Sequence, residues 1–300
     1  MDSFAVKLAR EIYGEFMVRL FDTQEFSIFL CGGSDPSAAA LRSLLGRELK
    51  EARSRYRYRP YYPEDMFLEV SRGHVRSDML ALENLLARSV HSVVILLGSP
   101  GTFAELGAFA NHDLLRDKLV VLVNRKYRKD RSFINVGPIA HLRRETKSKV
   151  HFVQFDKGAI PDIARQVMDS TREVGRGTPP DKDLTNPVWA WEFYLALIYV
   201  LDPIPYETIA KVAGSICPGN LQELQVVLDA TLNVLVREGS LVRRPQGFST
   251  TRVAERRLVS QIGTYSYIDR RRRALTGWRL RAMNTRYRRR KGFVGGSCIA

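Results

Sequence analysis

Between residues 26 and about 175, short apolar runs alternate with amphipathic segments. This alternation constrains the fold more than any other feature of the sequence. Apolar runs of this length are typical of buried strands, and the segments between them have helical spacing. The four runs that predict strands are 26–30, 93–97, 119–123 and 150–155. We therefore predict an α/β domain with a doubly wound, mostly parallel sheet covered by helices.

A change in composition after residue 175, where Gly, Pro and charged residues concentrate, predicts an interdomain linker at 176–187. We accordingly expect one domain at 1–175 and a second at 188–300. Residues 1–22 have amphipathic spacing and predict an additional helix. Its apolar face is expected to dock on the first domain or on another subunit.

The second domain begins with Asn186 and Pro187, which are typical of the N-cap and first residue of a helix. We predict a helix from there to about 201, and Pro203 ends it. The predicted elements that follow are a short helix at 206–213, a turn at 217–220, a longer helix at 221–238 closed by Gly239, and two strands at 241–243 and 248–250. This order favours a winged-helix-like domain. Such domains bind DNA or dock on proteins, and the pattern leaves both open.

The net charge of +15 is concentrated at the C-terminal end. Residues 241–300 hold 16 Lys/Arg and two Asp/Glu, which leaves about +1 for the first 240 residues. Basic sequence with interleaved aromatics suits phosphate neutralisation and base stacking. The residues expected to bind nucleic acid are Arg270, Arg271, Arg272, Arg273, Arg288, Arg289, Arg290 and Lys291. A solvated tail or a patch for anionic membranes would have the same composition.

Several functional classes are disfavoured. The three cysteines are far apart and the five histidines are scattered, so the spacing predicts neither disulfides nor a metal site. No run of about 18 apolar residues is present, and the N-terminus mixes charged with apolar residues. We expect a cytoplasmic protein with no membrane span and no bound cofactor.

The most specific segment lies at 99–109, directly after the strand predicted at 93–97. Gly101 permits a ligand to approach the backbone, and Thr102 is placed to cap the next helix, so that Glu105 would project from its first turn. Thr102-x-x-Glu105 is also the pattern of a capping box, in which Glu105 only bonds back to the Thr102 amide. The spacing alone leaves both roles open.

Two details favour a substrate-facing role for Glu105. Gly107 costs a helix interior roughly 1 kcal/mol relative to Ala, which is easier to explain if a ligand or strand must come close. Ala104 and Ala108 leave a cleared surface beside the carboxylate.

The first predicted strand ends in Cys31-Gly32-Gly33-Ser34-Asp35. Glycines after a parallel strand let a ligand approach the backbone, although a tight turn would use them equally. Cys31 has no identifiable base partner, so we interpret it as a small residue filling the strand end rather than a nucleophile.

Together these segments resemble the nucleoside deoxyribosyltransferase-like family, and more closely its branch of effector proteins of bacterial retrons. The resemblance covers roughly residues 26–143 in order. The matching segments are Ile28-Phe29-Leu30-Cys31-Gly32-Gly33, Tyr62-Pro63-Glu64-Asp65-Met66-Phe67, Leu82-Glu83-Asn84, 99–109, and Arg131-Ser132-Phe133-Ile134-Asn135-x-Gly137-Pro138. The C-terminal half is similar to those effectors mainly in architecture.

The resemblance implies that Glu105 is the catalytic carboxylate, which in the transferases attacks the anomeric carbon to form a glycosyl-enzyme. A water acceptor would make the enzyme a hydrolase. The resemblance also implies a set of substrate-binding residues, some of which are weaker candidates than others. They are Cys31, Gly32, Gly33, Asp65, Asn84, Ser99, Gly101 and Thr102. His91 and Asn135 are further second-rank candidates, with a structural role as the alternative.

Family members usually have an acidic residue just before the strand that leads to the catalytic loop, whereas this chain has Val90-His91-Ser92. The nicotinamide of NAD leaves as a neutral base without protonation. Asp65 or Glu64 could supply an acid instead, but because NAD needs none, a single carboxylate favours hydrolysis of NAD to nicotinamide and ADP-ribose. The alternatives are a nucleoside or nucleotide deoxyribosyltransferase or nucleosidase, and a non-catalytic nucleotide-sensing regulator that binds nucleic acid.

The resemblance also implies a biological setting. Such an effector is a toxin of anti-phage defence that halts infected cells. Its expected partners are the retron reverse transcriptase and its RNA-linked DNA, msDNA, which restrain it. A homo-oligomer or larger assembly is also expected, because pockets in this family are often completed by a neighbouring subunit.

Overall fold

The computed structural model describes residues 2–15, 25–33, 36–62, 85, 89–177, 179–219, 221–259 and 265–290. The chain divides into two units. The α/β unit is Gln24–Asp181, and the helical unit joins Met1–Thr23 to Lys182–Ala300. The chain begins with helix α1 (Asp2–Glu11), which belongs to the helical unit.

Five parallel strands form the sheet of the α/β unit. They are β1 (Glu25–Cys31), β2 (Arg57–Tyr61), β3 (Ser92–Leu97), β4 (Leu119–Asn124) and β5 (Lys149–Val153). Their spatial order is β2-β1-β3-β4-β5, and every pair is parallel. The α/β class and the four predicted strands are confirmed. This order places a topological switch point between β1 and β3, where ligands bind in doubly wound sheets.

Strand β2 was not predicted. Among the described strands, it lies at the edge of the sheet and pairs only with β1. Its sequence, RYRPY, contains two arginines and Pro60, and an edge strand tolerates both because one side of its backbone lacks a ladder partner. The buried positions alternate, with Tyr58 and Pro60 facing inward.

Helices cover both faces of this sheet. They are α2 (Pro36–Glu51), α3 (Pro100–Ala110), α4 (Ala140–Glu145) and α5 (Ile160–Gly177). Helices α2 and α5 pack together against one face, where Leu45 and Val167 join the side chains of Ile28, Leu30 and Val94 in one core. Helix α3 packs on β3 through residues outside that core, and α4 follows a π-helical turn, Asn135–Ile139. The first helical turn after β1 and that after β3 therefore flank the switch point.

The helical unit is built around α6 (Pro187–Val200), whose N-cap is Asn186 as predicted. Nearly every residue of α6 is buried, because α8 (Leu221–Arg237), α9 (Arg252–Val259) and α10 (Tyr265–Arg290) pack around it. A helix that is apolar on all sides requires such surroundings. No helix in the described part of the chain is both long and apolar enough to cross a bilayer.

The predicted elements of this unit are present with small shifts in their bounds. Helix α7 (Tyr206–Ile216) follows α6, and β6 (Leu241–Arg244) pairs antiparallel with β7 (Gly247–Thr250) after α8. Gly239, with φ +69°, ends α8: its N–H donates to Val236 O, and the Ser240 N–H donates to Leu235 O. This is a Schellman motif, which satisfies the last carbonyls of a helix.

Two predictions about the ends of the chain need correction. Helix α1 lies in the helical unit and packs against α7, not with the α/β domain to which 1–22 was assigned. Its apolar stripe contains Ala5, Leu8 and Ala9, all buried, and the pattern of such a stripe does not specify which element it packs against. The basic stretch is not a tail up to residue 290, because it forms the 26-residue helix α10.

Gly247 provides a stability prediction. Its φ is +124°, and a Cβ atom there would overlap the carbonyl of Ile204 and lie 2.7 Å from Pro205 N. The Gly247→Ala variant is expected to lose at least about 2 kcal/mol in free energy of unfolding, measured with denaturant. Gly239→Ala is the matched control, because Gly239 also has positive φ but no described atom lies within 4 Å of its Cβ position. A similar loss in both variants would show that the positive φ, rather than overlap with Ile204, limits position 247.

Candidate functional site

The two glycine-containing loops identified in the sequence lie side by side at the switch point. Cys31, the last residue of β1, is paired with Ile95 of β3. Gly32 and Gly98 therefore leave neighbouring strands at the same edge of the sheet. This carboxyl edge is where open α/β sheets bind ligands.

The loop after β3 is closed by a capping box that differs from the predicted one. Ser99, not Thr102, is the N-cap of α3, and Thr102 occupies the third helical position. The Thr102 hydroxyl accepts hydrogen bonds from the N–H groups of Gly98 and Ser99, at 3.1 and 3.0 Å, and donates to Ser99 O at 2.8 Å. The side chain of Ser99 accepts from the Thr102 N–H in return. Thr102 is 1% exposed, so its hydrogen bonds hold the backbone of the loop from within the protein interior.

This correction removes the capping role considered for Glu105. The helix begins at Pro100, one turn earlier than the predicted cap implied, and Glu105 is its sixth residue. The position that reaches back to the N-cap amide in a capping box is already filled by Thr102. Glu105 thus lies in the second turn, where helix capping gives it no function.

The surface beside Glu105 is lined by small residues. Gly101 and Ala108, four residues before it and three after it, share its face of α3 and are exposed. A Cβ atom at Gly101 or Gly107 would meet no described atom within 4 Å, so no described strand explains the glycine at 107. Glu105 itself is half-buried, with Oε2 shielded from solvent. One carboxylate oxygen is thus held inside the protein beside an open, small-residue surface.

Sequence reasoning missed Arg42, a buried cation at the switch point. Arg42 lies on α2, is 9% exposed, and its guanidinium carbon is 5.5 Å from the centre of the Tyr62 ring. A Cβ atom on Gly32 would lie 2.8 Å from Arg42 Cδ, so the first glycine of the Gly32-Gly33 turn makes room for this side chain. The available signal was an arginine beside the apolar stripe of Leu41 and Leu45.

A cleft of about 890 Å³ opens at the carboxyl edge of the sheet. It is lined by the start of α2, the end of β3 and the loops after β4 and β5, including Gly98, Phe103, Lys126 and Lys157. Phe103 and Glu105 are two residues apart, about 200° around the helix. The Glu105 side chain therefore points away from the part of the cleft that Phe103 lines.

His91 and Asn135 have structural roles. His91 Nδ1 lies 2.8 Å from Ser27 Oγ and accepts from the Ser27 N–H at 3.1 Å, which ties the start of β3 to β1. His91 precedes the six residues of β3 and Ser99 follows them. His91 therefore lies at the amino ends of the strands, about 20 Å along β3 from Ser99 at their carboxyl ends. Asn135 Nδ2 donates to Tyr127 O and Asp130 O, at 2.8 Å each, and holds the loop after β4.

Other predicted site residues differ in how far the structure describes them. Cys31 is fully buried at the end of β1, and Gly33 is buried beside it. Asp65, Asn84 and Lys291 lie outside the described residues, as does the side chain of Arg290. Within those residues, the structure brings together at the switch point Cys31, Gly32, Gly33, Ser99, Gly101 and Thr102.

The arginines of α10 divide into a packed set and an exposed set. Arg271, predicted to bind nucleic acid, is instead buried and forms a 3.1 Å ion pair with Glu192 of α6. Its side chain is 3% exposed and that of Glu192 is 0% exposed. Arg286 donates to the carbonyls of Leu201, Asp202 and Pro203 and so caps the end of α6.

The exposed arginines form part of the basic surface predicted from the sequence. Arg273 pairs with Asp269, and Arg281 pairs with Glu11. The arginines exposed without an ion pair to a described residue are Arg270, Arg272, Arg288 and Arg289. The formal charge of α10 therefore overstates the charge available to a ligand.

Comparison with known proteins identifies the family. The family model described as the STM3845 retron effector protein matches residues 38–242. The "Retron Ec86 putative ribosyltransferase/DNA-binding protein" of Escherichia coli is 30% identical over 281 residues, covering 90% of this chain and 88% of the relative. The Escherichia coli "Retron Ec73 putative ribosyltransferase/DNA-binding protein" is 32% identical over 136 residues, covering 43% and 41%. The match over most of the chain, to a family model and to a full-length relative, means that this chain belongs to the STM3845 retron effector family.

Proposed function

We propose that this retron effector cleaves an N-glycosidic bond with Glu105 and that its substrate is NAD, which it hydrolyses to nicotinamide and ADP-ribose. The observation that supports this proposal most directly is the position of Glu105. Its carboxylate lies on the second turn of α3, where Thr102 rather than Glu105 completes the capping box. It faces small exposed residues beside the switch point. Its relatives are named as ribosyltransferases, a class that acts on the same bond.

The proposed reaction has two steps. The Glu105 carboxylate attacks the anomeric carbon of the ribose attached to nicotinamide, and the bonding electrons leave with the ring nitrogen as neutral nicotinamide. Water then attacks the same carbon, the bond to Glu105 breaks and regenerates its carboxylate, and the proton of the attacking water passes to solvent, giving ADP-ribose. Because retaining glycosidic chemistry passes through an oxocarbenium-like state, the same carboxylate also stabilises the developing positive charge.

The location of His91 supports a mechanism without an acid at that position. His91 stands at the amino end of β3 and is engaged with Ser27, so a carboxylate there would be remote from the carboxyl edge. Neutral nucleobases need a proton to leave, whereas the nicotinamide of NAD does not. A carboxylate at position 91 would therefore not reach a leaving group at the carboxyl edge, so this position does not itself separate NAD from nucleosides, and the choice of NAD rests on a first step that needs no proton.

A transferase is the second candidate, favoured by the printed names of the relatives. It would share the first step and pass the sugar to an acceptor other than water. The nucleoside deoxyribosyltransferase-like assignment of the α/β unit is compatible with both. The two candidates differ in their products.

The test is incubation of the purified full chain with NAD and with a panel of nucleosides and nucleotides, with and without the reverse transcriptase and msDNA. Products are separated by chromatography. Nicotinamide and ADP-ribose from wild type, but not from Glu105→Gln, would support the proposal. A free nucleobase or exchanged nucleoside would favour the second candidate, and no product under any condition would favour a nucleotide sensor.

We further propose that the helical unit binds nucleic acid, with msDNA and the reverse transcriptase as partners, through the exposed arginines of α10. The three helices and hairpin from α6 to β7 support a winged-helix-like assignment. Helix α8, the third helix of that arrangement, exposes Gln222, Gln225 and Asp229 and has Arg237 as its one cation. A polar, partly acidic face is poorly suited to DNA, so we assign phosphate contact to α10 rather than to α8.

Replacing Arg270, Arg272, Arg288 and Arg289 by Gln is expected to weaken nucleic-acid binding. The slope of log K against log salt should become shallower by about 3, since four phosphate contacts are lost. Fluorescence anisotropy over a salt series measures this change. Gln at Arg47, Lys50, Arg53 and Arg55, all exposed on the α/β unit, removes the same charge and serves as control. Equal weakening in both variants would contradict the assignment.

A further inference from the structure

A second basic surface lies on the α/β unit, along the edge of the sheet opposite β2. A groove of about 820 Å³ follows β5, the last strand of the sheet. Three arginines line it: Arg128 from the loop after β4, and Arg143 and Arg144 from α4. We call it the arginine groove. All three side chains are exposed, and none forms an ion pair with a described residue.

The charge around the arginine groove is local. Residues 125–149 contain nine Lys/Arg and two Asp/Glu, a net charge of +7. The first 240 residues together carry only about +1, so the remainder is acidic and the positive charge concentrates here. Burial, together with nearby Lys149, lowers the pKa of His151, which also lines the groove. The lowered pKa favours the neutral form of His151, and the arginines supply the charge of the groove.

The loop that carries Arg128 is held in place. Asn135 donates to the carbonyls of Tyr127 and Asp130 on either side of it, and Asn124 Oδ1 accepts from the Lys126 N–H at 3.1 Å. The loop therefore presents its cation from a fixed backbone. Guanidinium groups suit phosphate because their planar donors match its oxygens. Phe133, in the same loop region, is 78% exposed and offers a ring face on which an unpaired base can stack.

We propose that the arginine groove binds the phosphate backbone of nucleic acid, giving the α/β unit a contact of its own, separate from α10. Charge complementarity favours this occupant, because the three arginines converge on one groove with no acidic residue among its described lining. The exposed ring of Phe133, two residues before the lining residue Asn135 in the chain, favours nucleic acid with unpaired bases. Because the proposal concerns binding alone, it does not depend on the glycosidase reaction.

The test replaces Arg128, Arg143 and Arg144 by Gln in the full chain. Binding to labelled single-stranded DNA, single-stranded RNA and duplex DNA is measured by anisotropy over a salt series. With single strands we expect at least tenfold weaker binding and a salt slope shallower by about 2, from the loss of three contacts. Gln at Arg47, Lys50 and Arg53 removes the same charge elsewhere on this unit and should leave binding near wild type.

Repeating the measurement with the four exposed arginines of α10 already replaced by Gln isolates the groove. In that background, the groove substitutions should remove most of the remaining affinity. Unchanged binding, or equal weakening by the groove variant and its control, would overturn the proposal. It would also be overturned if the groove variant kept nucleic-acid binding but lost binding to polyglutamate, since that outcome indicates an acidic protein as partner. Far-UV circular dichroism and thermal unfolding check that each variant remains folded.

Discussion

Replacing Glu105 by Gln is expected to reduce nicotinamide release by at least about a thousandfold, equivalent to about 4 kcal/mol of transition-state stabilisation. Gln keeps the shape of the side chain but has neither the nucleophilic oxygen nor the negative charge that the oxocarbenium-like state requires. Because Thr102 completes the capping box, the substitution leaves the start of α3 intact. The free energy of unfolding should therefore change by less than about 1 kcal/mol.

The measurement pairs initial rates of nicotinamide release with denaturant unfolding of the same preparations. Glu48→Gln is the control, since Glu48 is an exposed helical glutamate on α2 and should retain wild-type rates. Thr102→Val is the second control: it removes the capping hydroxyl and should cost about 1 kcal/mol in stability. A Glu105→Gln variant that keeps more than a tenth of the wild-type rate would refute a nucleophilic role for Glu105.

Replacing Arg271 by Ala is expected to destabilise the helical unit by about 3–5 kcal/mol. The change removes the Arg271 cation from beside the carboxylate of Glu192, which is 0% exposed. Thermal unfolding should shift down by about 10 °C or more. Arg272→Ala is the control one residue along α10: its side chain is exposed, and the expected loss is below about 0.5 kcal/mol.

A double variant separates the ion pair from simple loss of packing. Glu192→Met combined with Arg271→Met removes both charges and retains much of the volume. Replacing a buried ion pair by apolar side chains is often neutral or stabilising, so the double variant should recover most of the stability lost in Arg271→Ala. If the double variant is as unstable as the single one, the destabilisation comes from the lost shape of Arg271 and not from the orphaned charge.

The extent to which the sequence predicts the fold depends on whether an element is buried. Strands β1, β3, β4 and β5 and helix α6 were predicted because each buries a continuous apolar run. Strand β2 carries arginines and Pro60 at a sheet edge, where no apolar run is required. Helix α10 was missed because its buried stripe includes Arg271, which hides the helical spacing of Leu275, Trp278 and Ala282.

The candidate site was predictable where a loop follows a buried strand. The Gly32-Gly33 turn and the 99–109 segment follow β1 and β3, and the parallel topology brings their ends together. The cap was misassigned because Ser99 and Thr102 both fit an N-cap, and only the backbone shows where the helix begins. Arg42 and the arginine groove were missed because they depend on how side chains of α2, of the loop after β4 and of α4 pack against neighbouring elements, although the net charge of +7 over residues 125–149 was an available signal for the groove.

The capping box also bears on how this protein can evolve. Since the hydroxyls of Ser99 and Thr102 maintain the start of α3, helix capping places no requirement on the residue at position 105. A single base change converts a Glu codon into a Gln codon. Under the proposed function, a descendant that retains the fold but no longer cleaves NAD is therefore one mutation away, and selection on folding alone would not remove it.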